Sequence, residues 1–344
     1  MRIVDMRLFL VTLLLVIFSV SANAQWIKQS VNTTASFRGL SVVNEKVIWA
    51  SGTGGTVIRT IDGGKKWDVI QVPDAAKLDF RDIEAFDAKT AYILSIGNGE
   101  SSRIYKTTDG GTTWKLQFKN TNEKAFFDAI ACWDKKHCIA MSDPVDNKFV
   151  LINTTDGGTT WKPMDTTNMP ATKDGEAAFA ASGTCLITQG KNNVFLVSGG
   201  MAARVFKSTD RGKTWAVYVT PIVSGTSGSG IFSIAMYDEK TGIIVGGNYE
   251  KPDESVSNSA ITSDGGKTWV KDGKLSGYRS SVVFLASSIL IAVGSNGFDY
   301  SLQGGWIKGP ETWNFNSVSA NPDAWAVGAN GLVAKFKVSF REKK

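Results

Sequence analysis

The sequence predicts an all-β fold, a seven-bladed β-propeller of four-stranded antiparallel blades closed by the N-terminal strand pairing into the last blade. Three observations predict it. An eight-residue box, [ST]-x-D-x-G-x-x-W, occurs five times, at 60–67, 107–114, 154–161, 208–215 and 262–269. Its tryptophans, Trp67, Trp114, Trp161, Trp215 and Trp269, are spaced by 47, 47, 54 and 54 residues, which is the length of a four-stranded blade. A second signature, an apolar strand ending in glycine, precedes each box and goes on recurring after the boxes fade, at 290–294 and 324–328.

Each box has a physical reading. Asp62, Asp109, Asp156, Asp210 and Asp264 are placed to accept hydrogen bonds from the backbone of their own turns. The glycines permit left-handed backbone angles, and the tryptophan supplies apolar surface at the far side of the turn. A β-rich run stands before each box and another follows each tryptophan, so the box joins the third and fourth strands of a repeating sheet. The run 301–306 reads as a sixth box that has lost its aspartate. The seventh unit ends after 331–338 without a fourth strand, and 26–29 looks like a fourth strand without a blade. Pairing the two removes an exposed sheet edge at the joint.

Taken in order, residues 1–24 read as a secretory leader: Arg2 and Arg7, an apolar run over 8–20, and the small-residue site Ala22-Asn23-Ala24. No cysteine follows the run directly, so a lipid anchor is not indicated. The expected product, 25–344, is a single domain without an integral membrane segment, exported to the periplasm or secreted, and monomeric. The chain is 42% hydrophobic and 20% charged, with a formal charge of +6. Its lysines are scattered, many of them in the boxes, which describes a solvated surface rather than a nucleic-acid footprint.

The three cysteines are Cys132, Cys138 and Cys185. Cys132 and Cys138 flank the tip of a hairpin centred on Lys135, which makes a disulfide between them plausible in an oxidising compartment. A pair between Cys138 and Cys185 is the rival reading. The single histidine, His137, lies in the tip, and no metal-ligand spacing, dinucleotide loop or haem motif is present, so neither a metal site nor a cofactor is expected.

The box rim is structural by position, since blades start at the channel mouth on the opposite face. Charged residues at the start of the innermost strands are costly unless they face a polar cavity or a partner. That argument places Arg38, Arg81, Asp128, Glu176 and Arg279 around the mouth, with mutual pairing between blades as the competing use. Long loops at 221–230 and 248–255 and the glycine-rich 198–204 add Tyr249 and Arg204 to the same face.

The DGGxTW boxes resemble the Asp-box (BNR) repeat of sialidases and related propellers, from Thr60 to Trp269. The layout of boxes, V-G-x-x-G strand ends and arginines near the mouth is most similar to the photosystem II stability and assembly factor-like propellers. That resemblance implies a binding or assembly module, non-catalytic, engaging a protein partner or an anionic or carbohydrate ligand, with a binding role for Arg38, Arg81 and Arg279. The wider sialidase resemblance implies an alternative, an exo-sialidase-like glycoside hydrolase. Arg38, Arg81 and Arg279 would then hold a carboxylate, Glu176 would activate Tyr249 or Tyr278, and Asp82 or Asp128 would be the acid. The sequence departs from the sialidase pattern, with Phe37-Arg38-Gly39-Leu40 lacking the proline of that family's first motif.

Overall fold

The computed structural model describes residues 21–302 and 305–341, and it is a ring of seven antiparallel sheets. Blade 1 runs Phe37–Val42, Ile48–Gly52, Thr56–Thr60 and Asp68–Gln71, from the channel outward. Blade 2 spans Phe80–Ala85 to Lys115–Lys119, and blade 3 spans Phe127–Cys132 to Lys162–Pro163. Blade 4 begins only at Leu186–Gln189 and ends at Ala216–Val219. Blade 5 spans Ser229–Met236 to Val270–Lys271 and gains two-residue additions from Glu176–Ala177 and Gly199–Gly200. Blade 6 spans Ser281–Ala286 to Trp306–Lys308.

Blade 7 takes three strands from the C-terminal end of the chain, Phe315–Ala320, Ala324–Gly328 and Val333–Arg341, and its outermost strand is the N-terminal Ser21–Lys28. Trp26 pairs with Phe336 in that ladder and is buried against Phe298 and Phe315. The expected leader lies outside the described residues up to residue 20, while Ser21–Ala24 open this strand. The reduced sixth box likewise falls partly outside them, at 303–304. Among the described residues no helix is long and apolar enough to cross a membrane.

The second strands are buried over most of their length, and over all of it in Ile48–Gly52, Ala91–Ser95 and Ala324–Gly328. Each lies between its own blade's neighbours and the next blade, so both faces need apolar residues and the run is continuous rather than alternating. The core is therefore a series of seams between blades. One joins Trp49 and Val57 to Phe80, Ile83 and Tyr105; another joins Phe37 and Ile58 to Trp325 and Val327 across the blade 7–blade 1 junction.

The boxes tie the turns and also build these seams. In blade 2, Thr107 Oγ1 accepts from the Gly111 N–H at 2.9 Å and donates to Asp109 Oδ1, which accepts from the Thr113 N–H at 2.9 Å. The same bonds recur at Thr60/Asp62, Thr154/Asp156, Ser208/Asp210 and Thr262/Asp264. Gly64 has a φ of 90°, and a Cβ there would stand 2.5 Å from the Trp325 ring of blade 7. Each box tryptophan or its glycine meets an apolar residue of the preceding blade: Trp67 on Trp325, Trp114 on Trp49, Trp161 on Tyr92, Gly212 on Ile139 beside Trp215, Gly266 on Phe195 beside Trp269.

Cys132 and Cys138 are joined by a disulfide across a register pair of the blade 3 hairpin, and Cys185 is a buried free thiol. The cross-blade pairing is thereby excluded.

Candidate functional site at the channel mouth

The innermost strands share a local irregularity that decides which side chains reach the channel. Their ladders skip one residue near the start: Arg38, Arg81, Asp128, Phe232 and Asn316 each fall between consecutive pairs, as in Phe37↔Gly52 followed by Gly39↔Ser51. A bulge of this kind re-aims the extra residue. The residue before it, Phe37, Phe80, Phe127, Ile231 or Phe315, is buried between blades.

Four of these strands, together with Ser280 just ahead of the blade 6 inner strand, start at a cavity of about 450 Å³ at the mouth. It is lined by Arg38, Arg81, Phe232 and Asn316 from the inner strands, by Ser280, by Tyr249, Tyr278 and Ser295 from the loops, and floored by Phe179, Ala180 and Ala181. Phe179 and Phe232 stack at 3.9 Å with planes 4° apart, and Tyr249 stands edge-on to both. No carboxylate is among the lining residues.

The two arginines of the cavity are committed to different degrees. Arg81 pairs through Nε with Asp79 at 2.8 Å and donates from Nη1 to Ala180 O at 3.2 Å. Arg38 donates from Nη1 to Ala181 O at 3.1 Å and has no carboxylate partner among the described residues. Burial, followed by the positive charge of Arg81, lowers the Arg38 pKa from its ordinary value. Its remaining N–H groups are thus available to an acceptor brought into the cavity.

Arg279 does not belong to this group. By register it takes the place of Phe37 and Phe315, with its Cα against Gly294, while Ser280 takes the place of Arg38 and Asn316. The expectation that placed Arg279 around the mouth is thus off by one residue, since Ser280 stands there instead. Arg279 is fully buried, bound to Asp299 through Nε at 2.7 Å and Nη2 at 2.5 Å, and it spends its other donors on Tyr278 O, Asn296 Oδ1 and Ser276 Oγ. All five guanidinium N–H groups are occupied.

Glu176 and Arg204 likewise pair with each other rather than face the mouth. Arg204 Nε contacts both Glu176 oxygens at 2.9 and 3.1 Å, Nη2 binds Oε2 as well, and Ser198 Oγ donates to Oε1 at 2.6 Å. The ladder of blade 4 starts at Leu186, well after Glu176, so Glu176 is not the first channel residue of its blade. Both sit where the chain passes from blade 3 into blade 4, and Arg204 Nη2 also binds Ala171 O at 2.9 Å.

Asp128 and Asp82, expected at the mouth, do not line this cavity. Asp128 is buried with no partner for Oδ2, and burial, then the Asp143 charge, raises its pKa well above the usual carboxylate range. Asp82 accepts from Ile83 N–H at 2.8 Å and Ile130 N–H at 2.7 Å, and burial nevertheless pushes it up to about 7. These are desolvated carboxyls.

The glycosidase constellation is therefore not assembled. The third arginine is locked to Asp299, Glu176 to Arg204, and no hydrogen bond joins Glu176 to Tyr249 or Tyr278 among the described residues. Burial raises the Tyr278 phenol, the reverse of what a nucleophile needs. Among the described residues no group of side chains is arranged to hold a metal ion. The aromatic floor and wall, Phe179 and Phe232 with Asn316, are site residues that sequence reasoning did not single out. Phe232 reaches the channel because it is the residue its ladder skips, between Ile231 and Ser233.

No family model matches the chain, and no curated protein matches it. Solved structures do. YCF48 bound to D1 peptide superimposes with a TM-score of 0.64 at 17% identity, covering 90% of this chain and 94% of that one. YCF48 from Cyanidioschyzon merolae gives 0.64 at 16% identity, over 90% and 98% of the two chains. The WD40 β-propeller domain of Doa1 gives 0.60 at 11% identity, over 92% and 97%. At these identities the likeness is one of fold: this chain shares the propeller architecture of YCF48 and of WD40 proteins.

Proposed function

We propose that this protein is an exported binding or assembly module without chemistry of its own, which receives a segment of a protein partner over the channel mouth. The observation that carries the reading is Arg38: a cation with a single protein hydrogen bond, in a cavity lined by no carboxylate and walled by stacked aromatic rings. A rigid aromatic surface beside an unpaired guanidinium binds acceptor-rich chains with little ordering cost. The contacts from Arg38 and Arg81 to Ala181 O and Ala180 O are of the kind a bound peptide's carbonyls would make. The fold likeness to YCF48, which has been solved with a D1 peptide bound, supports a peptide as the class of ligand. Export rests on the leader-like pattern of residues 1–24.

The test is a cross-linking pull-down from the exported fraction of the source cells, using the chain from residue 25 and its Arg38→Ala variant side by side. A partner captured by the first and lost by the second supports the reading. A partner retained by Arg38→Ala, or turnover of fluorogenic glycosides by the unaltered chain, overturns it.

A further inference from the structure

Blade 4 departs from the other blades at one place. Before its ladder starts at Leu186, residues 178–183 belong to no strand and cross the channel. Phe179, Ala180 and Ala181 floor the mouth cavity, whereas Ser182, Gly183 and Thr184 wall a second cavity of about 340 Å³ on the other side, beside Asp82 and Glu84. One strap thus separates two cavities that share the ring's axis.

The strap is held in an unusual way. The inner strands of the other six blades are laddered by main chain to their own second strands, each with one bulged residue. Every hydrogen bond from residues 178–183 to another blade instead involves a side chain, among the described residues. Arg38 and Arg81 hold Ala181 O and Ala180 O, Asp143 Oδ1 accepts from the Ala178 N–H at 2.8 Å, and Ser182 Oγ donates to Ser280 O at 2.9 Å. A segment pinned by a few side chains opens at far lower cost than one laddered into a sheet. Gly183 supplies a pivot at φ 78°, where a Cβ would meet the Asp82 carboxylate at 2.2 Å.

We propose that residues 178–183 are a gate between the two cavities, pinned shut by Arg38 and Arg81 and anchored at Thr184, whose O accepts from the Ile234 N–H of blade 5 at 3.0 Å. Displacing the strap outward joins the mouth to the lower cavity and makes one passage along the axis, suited to an extended chain. It also frees the two guanidinium groups that hold the strap's carbonyls. The gate is a property of the unliganded chain, so its test needs no partner and leaves the binding reading to its own experiment.

A thiol in the strap reports its opening. Cys132 and Cys138 are bonded to each other, so the variant Ser182→Cys with Cys185→Ala carries one reactive thiol, at a position now 3% exposed. Maleimide labelling of this chain in increasing urea, below the unfolding transition, is expected to proceed at a rate independent of urea. Adding Arg38→Ala and Arg81→Ala is expected to speed it about tenfold, since two hydrogen bonds holding the strap are lost. A rate that rises with urea along the global unfolding slope, or one unchanged by removing both arginines, overturns the gate. If the reporter chain does not fold, Ser182→Cys is placed in the otherwise unaltered protein, where the core-buried Cys185 supplies the global unfolding slope for comparison.

Discussion

The box rim and the channel mouth use the same repeat in opposite ways. At the rim, five turns make the same hydrogen bonds with the same residue types, and each presses a glycine or tryptophan against the preceding blade. At the mouth, the equivalent bulge positions carry Arg38, Arg81, Asp128, Phe232, Ser280 and Asn316, all with different surroundings. What the rim repeats is what holds the ring together. What the mouth varies is the lining of the channel, and Arg279 shows that a one-residue shift moves a charge from the second category into the first.

The sharpest way to break this division is to remove Arg279. Arg279→Ala leaves Asp299 buried and uncompensated, and a loss of about 3–5 kcal/mol is expected in urea unfolding. A variant with an unchanged unfolding midpoint but lost partner capture would return Arg279 to the binding group. Next in size is the rim itself. Thr107→Ala deprives the buried Gly111 N–H of its acceptor, costing about 1–3 kcal/mol, and Thr154→Ala should match it because the bonds are the same. Unequal midpoints for the two would show that the boxes are not equivalent supports.

The two regions also differ in pH response. Turn hydrogen bonds hold Asp109 and Asp156 down to about 2, so their contribution is present above the unfolded value near 4 and is lost as pH falls towards 2. Burial raises Asp143 to about 6 and Asp82 to about 7, so their contribution is present below pH 4 and is lost as pH rises to 6 and 7. Thermal midpoints measured from pH 2 to 8 should fall at both ends. Asp143→Asn, whose amide oxygen can still accept from Ala178, should flatten the fall between pH 4 and 6, and a curve that stays as steep contradicts the assignment. The smallest expected effect on stability is at Arg38, where Arg38→Ala should shift the unfolding midpoint by no more than about 1 kcal/mol. A larger shift would make it a structural residue like Arg279.

Much of the fold was legible because its cues are local. The turn bonds of a box run between residues two and four apart, so composition and spacing suffice to find them, and the blade count follows from counting them. The unpaired 26–29 stretch pointed to the last blade because it alone lacked a sheet. The site was less legible. Bulges in the inner strands shift facing by one residue and leave no mark in the pattern, which misplaced Arg279 and passed over Phe232.

By itself the sequence determined the all-β repeat, the seven units, the box turns and the hairpin that carries Cys132 and Cys138, all of which rest on contacts between near neighbours along the chain. Only the tertiary structure decided which charges face the channel and which neutralise each other. Glu176 meets Arg204 and Arg279 meets Asp299 across separations of 28 and 20 residues, and the strap at 178–183 meets Arg38 from three blades away. The physical reason is desolvation: a charge's role depends on whether folding brings it a partner before it is cut off from water, and no local pattern encodes that meeting.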